Sequence, residues 1–254
     1  MPDSHLLPLL LPGLLLLGLA GAVVGSFIAL TSLRLPRGEP VVVSRSRCSG
    51  CQRQLTAIEL VPLLSYLVQR GRCRHCAAAI ERRYPAIEGA AAVIGIVAAV
   101  AVPGTQAIPA AILGWWLLLL AILDGEYFWL PSILTLPLVA VGLAVTAVVD
   151  PAALTDHLIG AVCGYASLAG IAALYRSVRG RAGLGGGDAR LFAASGAWLG
   201  WLPLPLVLAV AAVAGLVVAL LLWRRRLSWT TRLPFGVFLA AATWLVYLVR
   251  PWPY

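Results

Sequence analysis

The chain has 254 residues, of which 61% are hydrophobic and only 11% are charged. A soluble domain carries about 25% charged residues. This composition, with a mean hydropathy of +0.93, excludes an ordinary soluble protein and indicates an all-α polytopic membrane protein. The net charge of +9 comes from arginines in loops between apolar runs. We expect no nucleic-acid partner, because that would need a basic face on a soluble fold.

The apolar runs predict about eight transmembrane helices. A span needs about 20 apolar residues, and this criterion places the helices at 8–30, 86–102, 107–123, 131–149, 157–175, 189–202, 204–223 and 234–249. As one helix, residues 189–223 would be about 52 Å long, far beyond a hydrocarbon core of about 30 Å. Pro203 and Pro205 divide that run. Seven spans remain the alternative.

The position of the arginines predicts the orientation in the membrane. With eight spans, all arginines except Arg250 fall on one side, including those of the loop at 31–85. Basic loops face the cytoplasm, so this loop and residues 176–187 and 224–233 are predicted to be cytoplasmic, with both termini outside. The first run has no basic segment before it and no small-residue cleavage site, so we expect residues 6–30 to be a retained span and not a removed signal peptide. We therefore divide the chain into a first transmembrane helix (1–30), a cytoplasmic domain (31–85) and a transmembrane core (86–254).

Four cysteines in the cytoplasmic loop have the spacing of metal ligands. Two C-x-x-C pairs, separated by 21 residues, provide Cys48, Cys51, Cys73 and Cys76. Each pair can direct two thiolates at one ion, and two pairs complete a closed, tetrahedral zinc site. Two disulfides are the alternative, but the cytoplasm is reducing. The sequence therefore predicts a structural Zn²⁺ site, with His75 outside the ligand shell. Cys163, in an apolar run, is expected to be a packing residue.

Two aspartates stand at the cytoplasmic ends of predicted spans. Asp124 ends the third span, which runs inward, and Asp188 begins the sixth, which runs outward, after the glycines at 185–187. Both carboxylates are therefore predicted at a similar depth, where an unpaired charge is costly. Two close carboxylates share one proton and can act as general base and general acid, while the glycines would let an extended substrate approach the backbone. The residues alone leave helix capping, ion translocation and a structural role open.

The order of these motifs resembles that of the type IV prepilin peptidase family, which processes pilins and the pseudopilins of type II secretion. The resemblance covers nearly the whole chain. It rests on six segments: "GSFIALTSLRLP" (25–36), the four-cysteine loop with "VPLLSYLVQRGRCRHC" (61–76), "RRYPAIE" (82–88), the aspartate before Leu-Pro in "LLAILDGEYFWLP", "GLGGGDARL" (183–191) and "LPFGVFLA" (233–240).

The resemblance implies a function and a set of site residues. It implies an aspartyl endopeptidase of the bacterial inner membrane, which removes a basic leader by cutting after a glycine at the cytoplasmic face. It also implies that Asp124 and Asp188 are the catalytic residues and that the four cysteines are zinc ligands. It also implies N-methylation of the new N-terminus with S-adenosylmethionine. The partners would be prepilins or pseudopilins and the lipid bilayer. A zinc-stabilised transporter or channel that uses the aspartates for ions or protons is the alternative function.

Overall fold

The computed structural model describes residues 7–41, 46–180, 185–224 and 233–250. Its helices are α1 (Leu7–Arg34), α2 (Leu64–Val68), α3 (Arg83–Ala101), α4 (Ala107–Tyr127), α5 (Ser132–Val149), α6 (Leu154–Arg179), α7 (Gly186–Leu199), α8 (Leu204–Arg224) and α9 (Phe235–Val249). The first glycine of the Gly-rich motif, the arginine-rich segment after α8 and both chain ends lie outside the described residues.

The predicted all-helical membrane fold is confirmed. Eight long helices occupy the eight predicted positions, and two isolated bridges are the β structure in the described ranges. Within those ranges, six helices are long and apolar enough to cross a membrane. Helices α7 and α9 are shorter, with 14 and 15 residues. At 1.5 Å per residue they would extend about 21–23 Å, so a complete crossing by these two helices stays a prediction.

The chain separates into two units, residues 1–115 and 116–251, with the boundary inside α4. In the first unit α1 packs closely against α3. A Cβ on Gly25 would lie 2.7 Å from the Glu88 Cα, and a Cβ on Gly21 would collide with the Ala91 carbonyl. Small residues at such crossings let the two backbones approach. The predicted division at residues 30 and 85 stays a prediction.

In the second unit α7 lies at the centre, in contact with α5, α6, α8 and α9. Every residue from Leu191 to Leu199 is buried. Gly160 and Gly196 let α6 and α7 touch through their backbones, since a Cβ on either would collide with the other helix. The indole Nε1 of Trp198 donates to the Leu138 carbonyl of α5 at 2.9 Å. The short α7 is therefore enclosed by protein.

Polar contacts between helices also hold α7 in place. The hydroxyls of Ser195 in α7 and Thr243 in α9 lie 2.7 Å apart. His157 Nδ1 of α6 lies 2.9 Å from the Ala197 carbonyl oxygen and 3.0 Å from Thr146 Oγ1. Buried polar groups need such partners, and these partners fix the position of α7 relative to three neighbouring helices. The first turn of α7 carries Asp188, so its location is fixed as well.

Candidate active site and metal centre

Asp124 lies in the last turn of α4, and its side chain is buried. The residue is 6% exposed, and its Oδ2 accepts a hydrogen bond from the Val237 N–H at the start of α9, at 3.2 Å. Helix α4 ends just after it, because Phe128 takes a positive φ of 51°. The helix end thus holds the carboxylate against a neighbouring helix, and one of its oxygens is fixed by a backbone amide.

Asp188 lies in the first turn of α7. The N-cap position is occupied by Gly185, and Asp188 is the third residue of the helix. Asp188 is therefore not the N-cap residue itself, but it occupies the position from which a side chain bonds back to the N-cap backbone, so it does contribute to capping this helix. Its Oδ2 accepts a hydrogen bond from the Gly185 N–H at 3.2 Å. A carboxylate in the first turn is stabilised by the free N–H groups and the helix dipole there. The residue is nevertheless buried, with 9% exposure.

The structure brings the two aspartates together around Leu130. The carboxylates are close enough to interact electrostatically. A Cβ on Gly187, next to Asp188, would lie 2.6 Å from Leu130 Cβ. On the other side, a Cβ on Gly236 would lie 2.8 Å from Leu130 Cδ1 and 2.7 Å from Asp124 Oδ2. Two glycines therefore leave the space in which Leu130 and both carboxylates fit.

Sequence reasoning did not single out three residues of this site. Gly236 and Leu130 shape the space around the carboxylates, and Arg190 Nη2 donates to the Leu130 carbonyl at 3.1 Å. This bond links α7 to the segment that leads into α5. The segments around Gly236 and Leu130 carried part of the family resemblance, and this resemblance was the sequence signal that could have indicated these residues. The contacts between them depend on helix packing that no local pattern specifies.

The four cysteines form one cluster in the first unit. Their Sγ atoms all lie within 4.8 Å of one another, and the cluster could hold a metal ion. Each C-x-x-C pair forms the same small turn. The N–H of its first cysteine bonds to a carbonyl five residues on, and the residue after its second cysteine, Gln52 or Ala77, has a positive φ. The first cysteine of each pair is buried and the second is exposed.

The spacing of the sulfurs fits tetrahedral coordination. Cys48 Sγ and Cys76 Sγ are 3.7 Å apart, and a tetrahedron of thiolates about 2.3 Å from a zinc ion has edges of about 3.8 Å. Gly50 lets the two turns approach, because a Cβ there would lie 2.7 Å from the Ala78 Cβ. His75 lies outside the cluster, with its ring nitrogens facing Arg53 and Glu59.

The pKa values of Cys48 and Cys76 are shifted in opposite directions by their surroundings. The backbone N–H groups of Cys51 and Gly50 lower the pKa of the Cys48 thiol to about 6, so this sulfur is mostly a thiolate at neutral pH. The N–H of Ala78 favours the Cys76 thiolate as well, but partial desolvation and the three other cysteines outweigh it and raise the pKa of Cys76 to about 11. A cation at the centre would offset this repulsion between sulfurs.

Comparison with known families covers both units. Residues 19–102 match the model described as the bacterial peptidase A24 N-terminal domain. Residues 111–220 match that of the type IV leader peptidase family. The first match contains the four cysteines, and the second contains both aspartates.

Several relatives have the name prepilin leader peptidase/N-methyltransferase. The protein of Burkholderia pseudomallei (strain K96243) is 42% identical over 249 residues, which cover 87% of this chain and 80% of the relative. That of Aeromonas salmonicida (strain A449) is 39% identical, covering 82% and 72%, and that of Pseudomonas aeruginosa is 36% identical, covering 91% and 88%. No solved structure matches significantly. These names do not favour a transporter or channel. The chain belongs to the type IV leader peptidase family.

Proposed function

We propose that the chain is a prepilin leader peptidase in which Asp124 and Asp188 form the catalytic pair. The observation that carries the proposal is that two buried carboxylates, from the end of α4 and the start of α7, both lie beside Leu130, for which Gly187 and Gly236 leave space. Burying two carboxylates is costly, so their presence in an apolar protein favours a chemical role.

The backbone orients each carboxylate for this reaction. The amides of Val237 and Gly185 each bond to Oδ2 of one aspartate, which leaves Oδ1 of each outside these two bonds. One ionised carboxylate takes a proton from water as the water oxygen bonds to the scissile carbonyl carbon. In the same step the protonated partner gives its proton to the carbonyl oxygen. The first carboxyl group then passes the proton it took from water to the leaving amine nitrogen as the carbon–nitrogen bond breaks, and a hydroxyl of the tetrahedral intermediate returns a proton to the second carboxylate. One water is consumed for each peptide bond.

The substrate is proposed to be a type IV prepilin or a type II secretion pseudopilin. The leader would be short and basic, a glycine would precede the cut, and an apolar helix would follow it in the bilayer. The arginine distribution supports an active site at the cytoplasmic face of the bacterial inner membrane. At that depth the substrate backbone leaves its helix. Gly186, where a Cβ would come no closer than 3.9 Å to Arg190 Nη1, leaves room for an extended segment.

The second activity is proposed to be N-methylation of the new N-terminus. S-adenosylmethionine supplies the methyl group: the amine nitrogen forms a bond to the methyl carbon, the carbon–sulfur bond breaks with its electron pair on sulfur, and one proton passes from the amine to water. The relatives' names support this activity. The four cysteines are proposed to hold one Zn²⁺ in a closed shell, which stabilises the loop and leaves no open position for catalysis.

One experiment tests both activities. The purified chain in lipid vesicles is incubated with a full-length prepilin or pseudopilin, with and without S-adenosylmethionine, and the products are analysed by mass spectrometry. We expect loss of the leader in both conditions and one added methyl group only when the donor is present. Loss of the leader without methylation would contradict the second activity, and no cleavage of either substrate would contradict the peptidase.

A further inference from the structure

A cavity of about 390 Å³ lies within the first unit. One wall is a single face of α1, where Ser26, Leu30 and Leu33 recur at helical spacing. The opposite wall comes from the four-cysteine region and from the start of α3, including Tyr84. The volume is in the range of sites for small organic ligands, roughly 300–1,000 Å³. The cavity therefore has the size of a ligand site and does not overlap the aspartate site, all of whose residues belong to the second unit.

The lining combines apolar surface with charged groups of both signs, since Arg34, Arg37 and Arg47 line the cavity together with several glutamates. Glu59 and Glu88 both line the cavity. The Glu59 side chain is 4% exposed, and the whole Glu88 residue is 7% exposed. The rings of Tyr66 and Tyr84 are also part of the wall. Carboxylates and aromatic faces attract a cation, and guanidinium groups attract a carboxylate. This cavity therefore suits a ligand that has an apolar body and charges of both signs.

The two carboxylates are already held in position. Glu88 Oε2 accepts a hydrogen bond from the Leu63 N–H at 2.7 Å, and Leu63 has an unusual positive φ of 60°. Glu59 Oε2 accepts bonds from the N–H and the hydroxyl of Thr56, at 2.9 and 2.8 Å. These bonds lower the pKa of Glu59, so it is charged at neutral pH. Both groups are therefore preorganised before any ligand enters.

Glu59 has one buried oxygen that lacks a donor. Within the described part of the chain, its Oε1 has no hydrogen-bond partner, and the closest basic atom is His75 Nε2 at 3.7 Å. Burying an acceptor without a hydrogen bond is unfavourable. A hydroxyl or ammonium group of a ligand in the cavity would supply the missing donor. A ligand in the cavity would therefore account for the burial of Glu59 Oε1 without a donor from the protein.

We infer that this cavity binds S-adenosylmethionine, with Glu59 accepting a donor of the ligand and Tyr66 and Tyr84 bordering its positive sulfur. The inference rests on the proposed N-methyltransferase activity and assigns its cofactor site to the first unit. The ligand has an adenine for the apolar wall, hydroxyl and ammonium donors for the carboxylates, and a cationic sulfonium. The whole lining, from Ser26 to Glu88, falls within residues 19–102, which match the N-terminal domain.

The location is tested by filling the cavity from α1. Leu30→Trp places an indole in the wall, and Val23→Trp is the matched control, because Val23 is on the same helix, is 61% exposed and does not line the cavity. Equilibrium binding of radiolabelled S-adenosylmethionine is measured on the intact chain in detergent. We expect Leu30→Trp to weaken binding by about tenfold or more and Val23→Trp to leave it unchanged. Prepilin cleavage should persist in both.

The chemistry is tested by neutralising one carboxylate. Glu59→Gln keeps the side-chain shape, and binding of S-adenosylmethionine is compared with that of S-adenosylhomocysteine, which lacks the sulfonium charge. We expect the variant to lose about fivefold or more in affinity for the cationic ligand, with a smaller change for the neutral one. Zinc content and thermal stability of each variant report whether the fold is kept.

The outcomes separate the site from the activity. If the unchanged chain binds and transfers the methyl group but Leu30→Trp binds normally, the location is wrong and the methyltransferase function stands. If the unchanged chain binds neither nucleoside, both the site and the methylation proposal are overturned. If Glu59→Gln weakens the binding of S-adenosylmethionine and S-adenosylhomocysteine equally, Glu59 does not recognise the sulfonium charge and that part of the inference is wrong.

Discussion

Gly236 lies so close to Asp124 that a Cβ on the glycine would stand 2.7 Å from the carboxylate Oδ2. Helix α9 begins one residue earlier, at Phe235, so it presents bare backbone to the end of α4. The next residue, Val237, donates its N–H to the same oxygen. The start of α9 therefore determines where the Asp124 carboxylate lies, although it carries no titratable residue of its own.

Gly236→Ala should impair cleavage without preventing membrane insertion. The added methyl group would also meet Leu130 Cδ1 at 2.8 Å, so the carboxylate or Leu130 has to move. A displacement of about 1 Å in a catalytic group can cost about a hundredfold in rate. We expect a loss of about 10–100-fold in the rate of prepilin cleavage, measured in vesicles.

The matched control for this variant is Gly215→Ala in α8. A Cβ there would make an ordinary contact with Phe238, at 3.4 Å, and alanine favours a helix over glycine by about 1 kcal/mol. Cleavage by this variant should be close to normal. Equal activity of the two variants would show that the close approach at Gly236 does not position Asp124.

Asp124→Asn and Asp188→Asn should each abolish cleavage. Asparagine keeps the shape and the hydrogen-bond acceptor but removes the proton transfers, which contribute about 10²–10⁴-fold. The double variant should cleave at nearly the same rate as the single variants, because the effects of two residues that act as one unit do not add. The measurement is the initial rate on a full-length prepilin, with membrane insertion as the control. Substantial activity in either single variant would rule out the carboxylate pair.

The four-cysteine cluster should bind about one zinc ion per chain, as a closed four-thiolate site does. Cys73→Ser removes a buried sulfur of the cluster and should lower both the zinc content and the thermal stability of the chain. Cys163→Ser, in α6 and outside the cluster, should keep the zinc. Elemental analysis after purification provides the measurement. A Cys48–Cys51 or Cys73–Cys76 disulfide in freshly isolated membranes would contradict the site.

The predicted topology places Ser177 in the cytoplasm and the final residue, Tyr254, outside. Ser177 is exposed in the last turn of α6, while Tyr254 lies outside the described residues. Single cysteines at these positions should react with an impermeant maleimide from opposite sides of the membrane. Labelling of both positions from the same side would contradict eight spans and leave seven as the better count.

The sequence by itself determined the helices and the metal-ligand cluster. Long apolar runs and the break at Pro203 and Pro205 specify where helices begin and end, because local hydrophobicity and proline act within one segment. Two C-x-x-C pairs likewise form their turns from nearby residues, so their convergence could be predicted. The similar depth of Asp124 and Asp188 followed from the order of spans and from the arginines.

Only the tertiary structure decided which helices enclose α7 and which groups surround the aspartates. In a bilayer, lipid tails and helix interfaces are both apolar, so an apolar pattern does not distinguish a lipid-facing surface from a buried one. The contacts of Asp124 with Gly236 and Val237, and the place of Leu130 between two glycines, therefore depend on the packing of α4, α7 and α9. The cavity beside Glu59 has the same origin, because α1, the cysteine turns and α3 form its walls together.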